Sequence, residues 1–105
     1  MGGTKNDKDK VDLSLVPLPA MEAMGRALMF GAAKYGRYNY TLGFETHRLV
    51  AACLRHLGAW QDGEDLDPES GLSHLDHAIT CIAMLIHCQK LETAKDTRRK
   101  QVLRE

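Results

Sequence analysis

Three stretches of this chain repeat apolar residues every three to four positions, and each is bounded by turn-forming residues. The first, Ala20 to Lys34, aligns Met21, Met24, Leu28 and Ala32, the spacing of a helix that buries one stripe. Pro17 and Pro19 precede it, and Pro19 suits the first helical position, where its missing N–H would have had no intrahelical partner. Ala23, Gly25, Ala27, Gly31 and Ala33 keep the segment thin enough for close approach by another helix. The same glycines weaken its intrinsic helicity, so packing has to stabilise it.

The second helix is expected from Thr46, a good N-cap, to about Asp62. Leu49, Cys53, Leu57 and Trp60 mark its core side, with Val50 and Leu54 broadening it. The third opens on a capping box, Ser73 as N-cap with Asp76 at the third helical position. Leu75, Ile79, Ile82 and Ile86 make one apolar row, and His74, His77, Cys81, Met84 and Cys88 make a second. The pattern predicts an all-α fold: a compact bundle of three principal helices with an extended N-terminal arm. Residues 1–10 read as a flexible arm, 11–92 as the helical domain, and 93–105 as a polar tail or an extension of the third helix. Each helix has limited partner surface in so small a bundle, and the thin first helix invites another subunit, so a homo-oligomer is expected.

Length and charge narrow the picture. A chain of 105 residues makes one domain. Fourteen Lys and Arg balance fourteen Asp and Glu, leaving no net field to draw in a nucleic-acid polymer or a membrane surface, so affinity for phosphate has to be local. The longest uncharged apolar run, Ala78 to Ile86, is too short to cross a bilayer. No secretion leader is apparent. Three cysteines, an odd number without a leader, read as reduced core thiols of a cytoplasmic protein.

The chemistry concentrates between His47 and Leu85, which hold four of the five histidines and the only tryptophan. Just before this stretch, the loop from Lys34 to Gly43 interleaves Lys34 and Arg37 with Tyr35, Tyr38 and Tyr40. Such a loop can stack a base and neutralise a phosphate, or merely cover helix ends. Arg48 and Arg55 lie two turns apart with Ala52 between them, a shallow basic trough beside His56. The block GEDLDPESG carries Glu64, Asp65, Asp67 and Glu69, four carboxylates in six residues. It lacks the central glycine and terminal glutamate of an EF-hand loop. Crowded carboxylates repel one another unless a cation sits among them, and Mg²⁺ or Mn²⁺ suits oxygen ligands; the alternative is an exposed acidic turn. His74 and His77, one turn apart, can serve one phosphate or join a metal. A zinc site would need Cys81 as a third ligand, and HxxH alone is weak support for it.

The arm with Lys8 and Lys10 leading to LSLVP, the FGAAKYG segment, and RLVAACLRHLGAWQDGEDLDPESGLSHLDHA together resemble a family of small, mostly bacteriophage, proteins. That family is the N-terminal domain of dATP/dGTP diphosphohydrolases, and the resemblance covers about Lys8 to Leu85. It implies cleavage of a purine deoxynucleoside triphosphate to monophosphate and pyrophosphate with a divalent cation. It also suggests kinship with the all-helical nucleotide pyrophosphohydrolases, and an infected bacterial cytoplasm as the setting. The matching polar positions are Lys34, Asn39, Arg48, Arg55, His56, Glu64, Asp65, Asp67, Glu69, His74 and His77.

These readings combine into one expected site. Glu64, Asp67 and His77 would carry the catalysis, with Glu64, Asp65, Asp67 and Glu69 around the metal. Lys34, Tyr35, Tyr38, Asn39, Arg48, Arg55, His56 and His74 would hold the substrate. The alternative expectation is a phage protein that binds a nucleotide signal of host defence and sequesters it without turnover. A third is an interaction module whose polar cluster only staples the helices.

Overall fold

The computed structural model describes residues 2–4 and 6–99. Helix α1 spans Leu18–Tyr35, α2 spans Thr46–Gln61 and α3 spans His74–Lys90, with 3-10 turns at Leu13–Leu15 and Asn39–Leu42. No strand occurs among the described residues; two isolated bridges, Glu45 with Lys95 and Leu66 with Ser73, tie loops together. The all-α bundle read from the periodicity is what the chain builds. Pro17 holds extended backbone before α1, Pro19 lies in its first turn, and Gly36 at φ 96° ends it.

α3 lies between the other two helices and packs along both. The outer helices diverge on one side of it, and a cleft opens between them with α3 as its floor. Small side chains make the packing close: Cys53, Ala78 and Cys81 form a buried cluster backed by Ala52, and Ala27 is the buried residue of α1. Leu49 is the one large aliphatic side chain buried among the described residues. The cysteines are free thiols inside this core, and burial pushes Cys81 up to about 11.

Several expected contacts resolve differently. Met21 is half exposed, whereas Met24, Leu28 and Ala32 of the same row are partly buried and Ala27 beside them is buried. Leu57, Trp60, Val50 and Leu54 are 40 to 62% exposed, leaving Leu49 and Cys53 as the true core side of α2. On α3 the two rows trade places. His74, Cys81 and Cys88 are buried, whereas Leu75, Ile82 and Ile86 of the apolar row are 40, 49 and 56% exposed. The cause is geometric: the row bearing the histidines must face α2 and the acidic turn, and the apolar row then lies on the opposite side of the helix.

Helix ends also differ from expectation. Ser73 caps α3 by accepting the Leu75 N–H, but Asp76 does not reach back to complete a box. It is buried and accepts two hydrogen bonds from Arg26 of α1, from Nε at 2.8 Å and Nη2 at 3.2 Å. Thr46 is the first residue of α2 rather than its cap. Its N–H donates to the Lys95 carbonyl at 2.9 Å, and its hydroxyl accepts the Thr97 N–H at 3.1 Å. The chain after α3 therefore does not continue that helix. It turns at Glu92, at φ 60°, and runs back beside residues 44–46, satisfying the open N-terminus of α2.

Candidate functional site

Gly63, at φ 100°, closes α2 and starts the acidic turn. Within the turn the Asp67 N–H donates to the Leu72 carbonyl at 2.7 Å and the Gly71 N–H to the Asp67 carbonyl at 2.8 Å. The Asp67 carboxylate accepts the Ser70 N–H at 2.9 Å and the Ser70 hydroxyl at 3.0 Å through Oδ2. An aspartate bonding the backbone three residues on is a natural turn former. The turn is thus held by its own polar groups, and it delivers Asp67 and Ser70 beside the first turns of α3.

Three histidines meet there. His74 is 4% exposed. Its Nε2 lies 2.7 Å from Glu64 Oε1, and its Nδ1 lies 2.8 Å from His56 Nδ1. His77 stacks on His56 with centroids 4.7 Å apart, meets Phe30 edge-on, and places Nε2 2.7 Å from the Ser70 hydroxyl. Since a carboxylate only accepts, His74 donates through Nε2 to Glu64 and offers Nδ1 as an acceptor. His56 then donates from Nδ1 in this proton arrangement. Burial, with the neighbouring His77, lowers the His56 pKa and keeps the ring neutral at pH 7. Asp67 moves down from its usual range: burial opposes this, but the Ser70 N–H and hydroxyl and the nearby His77 and His56 outweigh it.

The cleft between α1 and α2 has a volume of about 420 Å³, within the range of roughly 300–1,000 Å³ typical of small-molecule sites. Of the residues expected at the site, Lys34, Tyr35, Tyr38, Asn39, Arg55, His56, Asp67, Glu69 and His77 line it. Tyr35 and Tyr38 sit at its rim, and Arg55 enters no salt bridge among the described residues. Lys34 pairs with Glu69 at 2.6 Å, joining α1 to the acidic turn across the cleft mouth, and that hydrogen bond raises the lysine pKa. Arg48 is exposed on α2 and does not line the cleft. His74 and Glu64 stand behind the wall, and Asp65 supplies its backbone carbonyl to the His74 N–H.

The four carboxylates of the turn therefore have separate partners. Glu64 meets His74, Asp67 meets Ser70, Glu69 meets Lys34, and Asp65 is exposed. The donor set that does converge is His56, Asp67 and His74, whose ligand atoms lie within 4.8 Å of one another. Two imidazoles and a carboxylate match the chemistry of a divalent metal site, and a carboxylate behind one imidazole is the usual orienting partner. Ser70, Phe30 and the Arg26–Asp76 pair were not singled out by the sequence. Only Ser70 carried a signal, as the serine three residues after an aspartate in a turn.

An all-helical domain with a nucleotide-sized cleft, and with imidazoles, carboxylates and cations at one end of it, is the class that the fold and site define. The chain belongs to the dATP/dGTP diphosphohydrolase N-terminal family, whose model matches residues 1–98. It is similar to a dATP/dGTP diphosphohydrolase of Salmonella phage PMBT28, at 34% identity over 99 residues, a match covering 94% of this chain. The chain spans about a third of that relative's length, 34%. No solved structure matches the chain.

Proposed function

We propose that the cleft binds a purine deoxynucleoside triphosphate and hydrolyses it to the monophosphate and pyrophosphate. The observation that carries this reading is a single cavity that runs from the aromatic rim of Tyr35 and Tyr38 to Arg55, His56, Asp67 and His77. The base stacks at the rim, beside Asn39, and the phosphates reach the inner end. Arg55 there, and Lys34 from the cleft mouth, neutralise charge as it develops on the phosphate oxygens. His77, which also lines the cleft, accepts a proton from the water that attacks the α-phosphorus as the bond to pyrophosphate breaks. A divalent cation would supply further charge neutralisation when bound, and Asp67 with His56 and His74 would hold it.

Purified protein given dATP or dGTP with Mg²⁺ or Mn²⁺ is expected to release monophosphate and pyrophosphate in equal amounts, well beyond one equivalent per chain. Ion-exchange chromatography after denaturation measures both. A second reading, binding without turnover, is favoured by the match covering only 34% of the phage relative, whose name describes the activity of a whole, longer protein. Intact nucleotide released only on denaturation is its signature and contradicts hydrolysis. No described helix is long and apolar enough to cross a membrane.

The exposed apolar row of α3 belongs to the same proposal. Val50 of α2 with Ile82, Leu85 and Ile86 of α3 line a second groove, on the side of α3 away from the cleft. Leu54 and Leu57 of α2 and Leu75 of α3 are also 40 to 62% exposed, and a stable interface takes about 800 Å² from each partner. A second copy of the chain is the occupant it fits, since the net charge of zero opposes no self-association and only one large aliphatic residue is buried among the described residues. Light scattering is expected to give a multiple of the 11.7 kDa chain mass. Ile82→Glu, harmless to an isolated chain at a half-exposed position, is expected to reduce that multiple to one. A wild-type mass of one chain contradicts the assembly.

A further inference from the structure

The two Nδ1 atoms of His56 and His74, 2.8 Å apart, are close for a reason that packing alone does not supply. Two neutral imidazoles can meet this way only if one carries its proton on Nδ1 and the other does not, and a proton on both would force them apart. Glu64 settles one side of the pair, because it takes the Nε2–H of His74 and leaves that ring's Nδ1 as a lone pair aimed at His56. Carboxylate, imidazole, then a free ring nitrogen is the arrangement that orients a histidine ligand toward a metal.

The donor types narrow the kind of ion. Asp67 is the third donor: one ligand atom from each of His56, Asp67 and His74 lies within 4.8 Å of the other two. It holds Ser70 through Oδ2, and Oδ1 accepts no hydrogen bond among the described residues. Two imidazoles and one carboxylate, with positions left open, are the donor set that favours six-coordinate Mn²⁺, Fe²⁺ or Co²⁺; all-oxygen surroundings would favour Mg²⁺ and a closed tetrahedron Zn²⁺. His56 and Asp67 line the cleft and His74 lies behind it, so the remaining positions open toward the cavity.

We propose that His56 Nδ1, His74 Nδ1 and Asp67 bind one six-coordinate transition-metal ion of the Mn²⁺, Fe²⁺ or Co²⁺ type, oriented by Glu64 and open toward the cleft. This deepens the hydrolytic reading by naming the metal and its ligands, and rests on that reading only for the use of the open positions. Glu64 is a positioning residue, acting through His74.

The test uses the full chain, stripped with a chelator and titrated with CoCl₂, MnCl₂, MgCl₂ or ZnCl₂ in the absence of nucleotide. One Co²⁺ per chain is expected, with the weak visible bands of six-coordinate cobalt, and Mn²⁺ is expected to lose its free-ion spin-resonance signal on binding. Mg²⁺ should bind at least tenfold more weakly than either. His56→Ala is expected to reduce Co²⁺ affinity more than a hundredfold, and Glu64→Gln about ten- to a hundredfold, each with the helical circular dichroism of the wild type. No saturable Co²⁺ or Mn²⁺ binding, intense tetrahedral cobalt bands, or affinity unchanged in His56→Ala would overturn the site. The product assay separates the two proposals. Metal bound without turnover sinks the hydrolysis and keeps the site, whereas Mg²⁺-supported turnover undiminished in His56→Ala does the reverse.

Discussion

Asp67→Asn is expected to lower kcat/KM for purine deoxynucleoside triphosphate hydrolysis by about 10²- to 10³-fold, the range spanned by removing one preorganised electrostatic stabiliser. The substitution is chosen to separate chemistry from folding. Asparagine keeps a side-chain oxygen to accept the Ser70 N–H, now at 2.9 Å, so the acidic turn persists. What disappears is the negative charge facing His56 and, at 3.9 Å, His77 Nε2. Turnover within threefold of wild type would remove Asp67 from the reaction. A collapse in melting temperature would show that the turn, not the chemistry, depended on the charge. Glu69→Gln is the control from the same block: its carboxylate is 66% exposed and paired with a half-exposed lysine. Exposed pairs contribute little, so the change is expected to alter KM by only a few-fold.

The contrast between those two carboxylates shows what the sequence could and could not reveal. Four acidic residues in six positions announced a charged turn next to histidines, and that much was legible from spacing. Which carboxylate meets which partner depends on how residues 62–73 fold back, and that path is set by backbone bonds from Asp67 to Leu72 and from His74 to Asp65. Nothing in the local pattern encodes those bonds. His56 and His74 are 18 positions apart on different helices, so their contact appears only once α2 and α3 are packed. Arg48 and Arg55 share a helix row, yet only Arg55 lines the cleft.

The α3 rows give the same lesson in reverse. Hydrophobicity ranked Leu75, Ile79, Ile82 and Ile86 as the core stripe, on the assumption that one chain supplies all the partners. Small residues on α1 and α2, such as Ala27 and Cys53, instead pack against the row carrying His74, Cys81 and Cys88. Helix identity and approximate ends follow from period and proline placement, whereas the direction each helix faces is a tertiary outcome. The segment after Lys90 is the plainest case. Its polar composition reads as a tail, but its role is to donate and accept backbone hydrogen bonds at the start of α2, which composition cannot show.

That segment makes Gly43→Ala the most disruptive single change expected in the scaffold. Gly43 has φ 102° and ψ 157°, a region essentially closed to residues with a side chain, and a Cβ there would overlap the carbonyl oxygen of Thr93. The obstacle is backbone, fixed by the Lys95 N–H to the Phe44 carbonyl at 2.9 Å and by the Thr46 N–H to the Lys95 carbonyl at 2.9 Å, so it cannot rotate aside. Strain and overlap together are expected to cost at least about 3 kcal/mol, lowering the melting temperature by roughly 12 °C or more. Gly36→Ala isolates the first term. It sits at φ 96° with open space around the added carbon, so only the backbone strain of about 1–3 kcal/mol applies. The excess at Gly43 measures how firmly residues 93–97 are clamped. Phe44 lines the cleft one residue further on, and Tyr40, also in its lining, accepts the Cys88 thiol through its carbonyl. Nucleotide affinity should therefore fall with stability in Gly43→Ala at temperatures where it is still folded. Equal melting temperatures for the two variants, by calorimetry, would show that the C-terminal segment yields freely and does not brace the cleft.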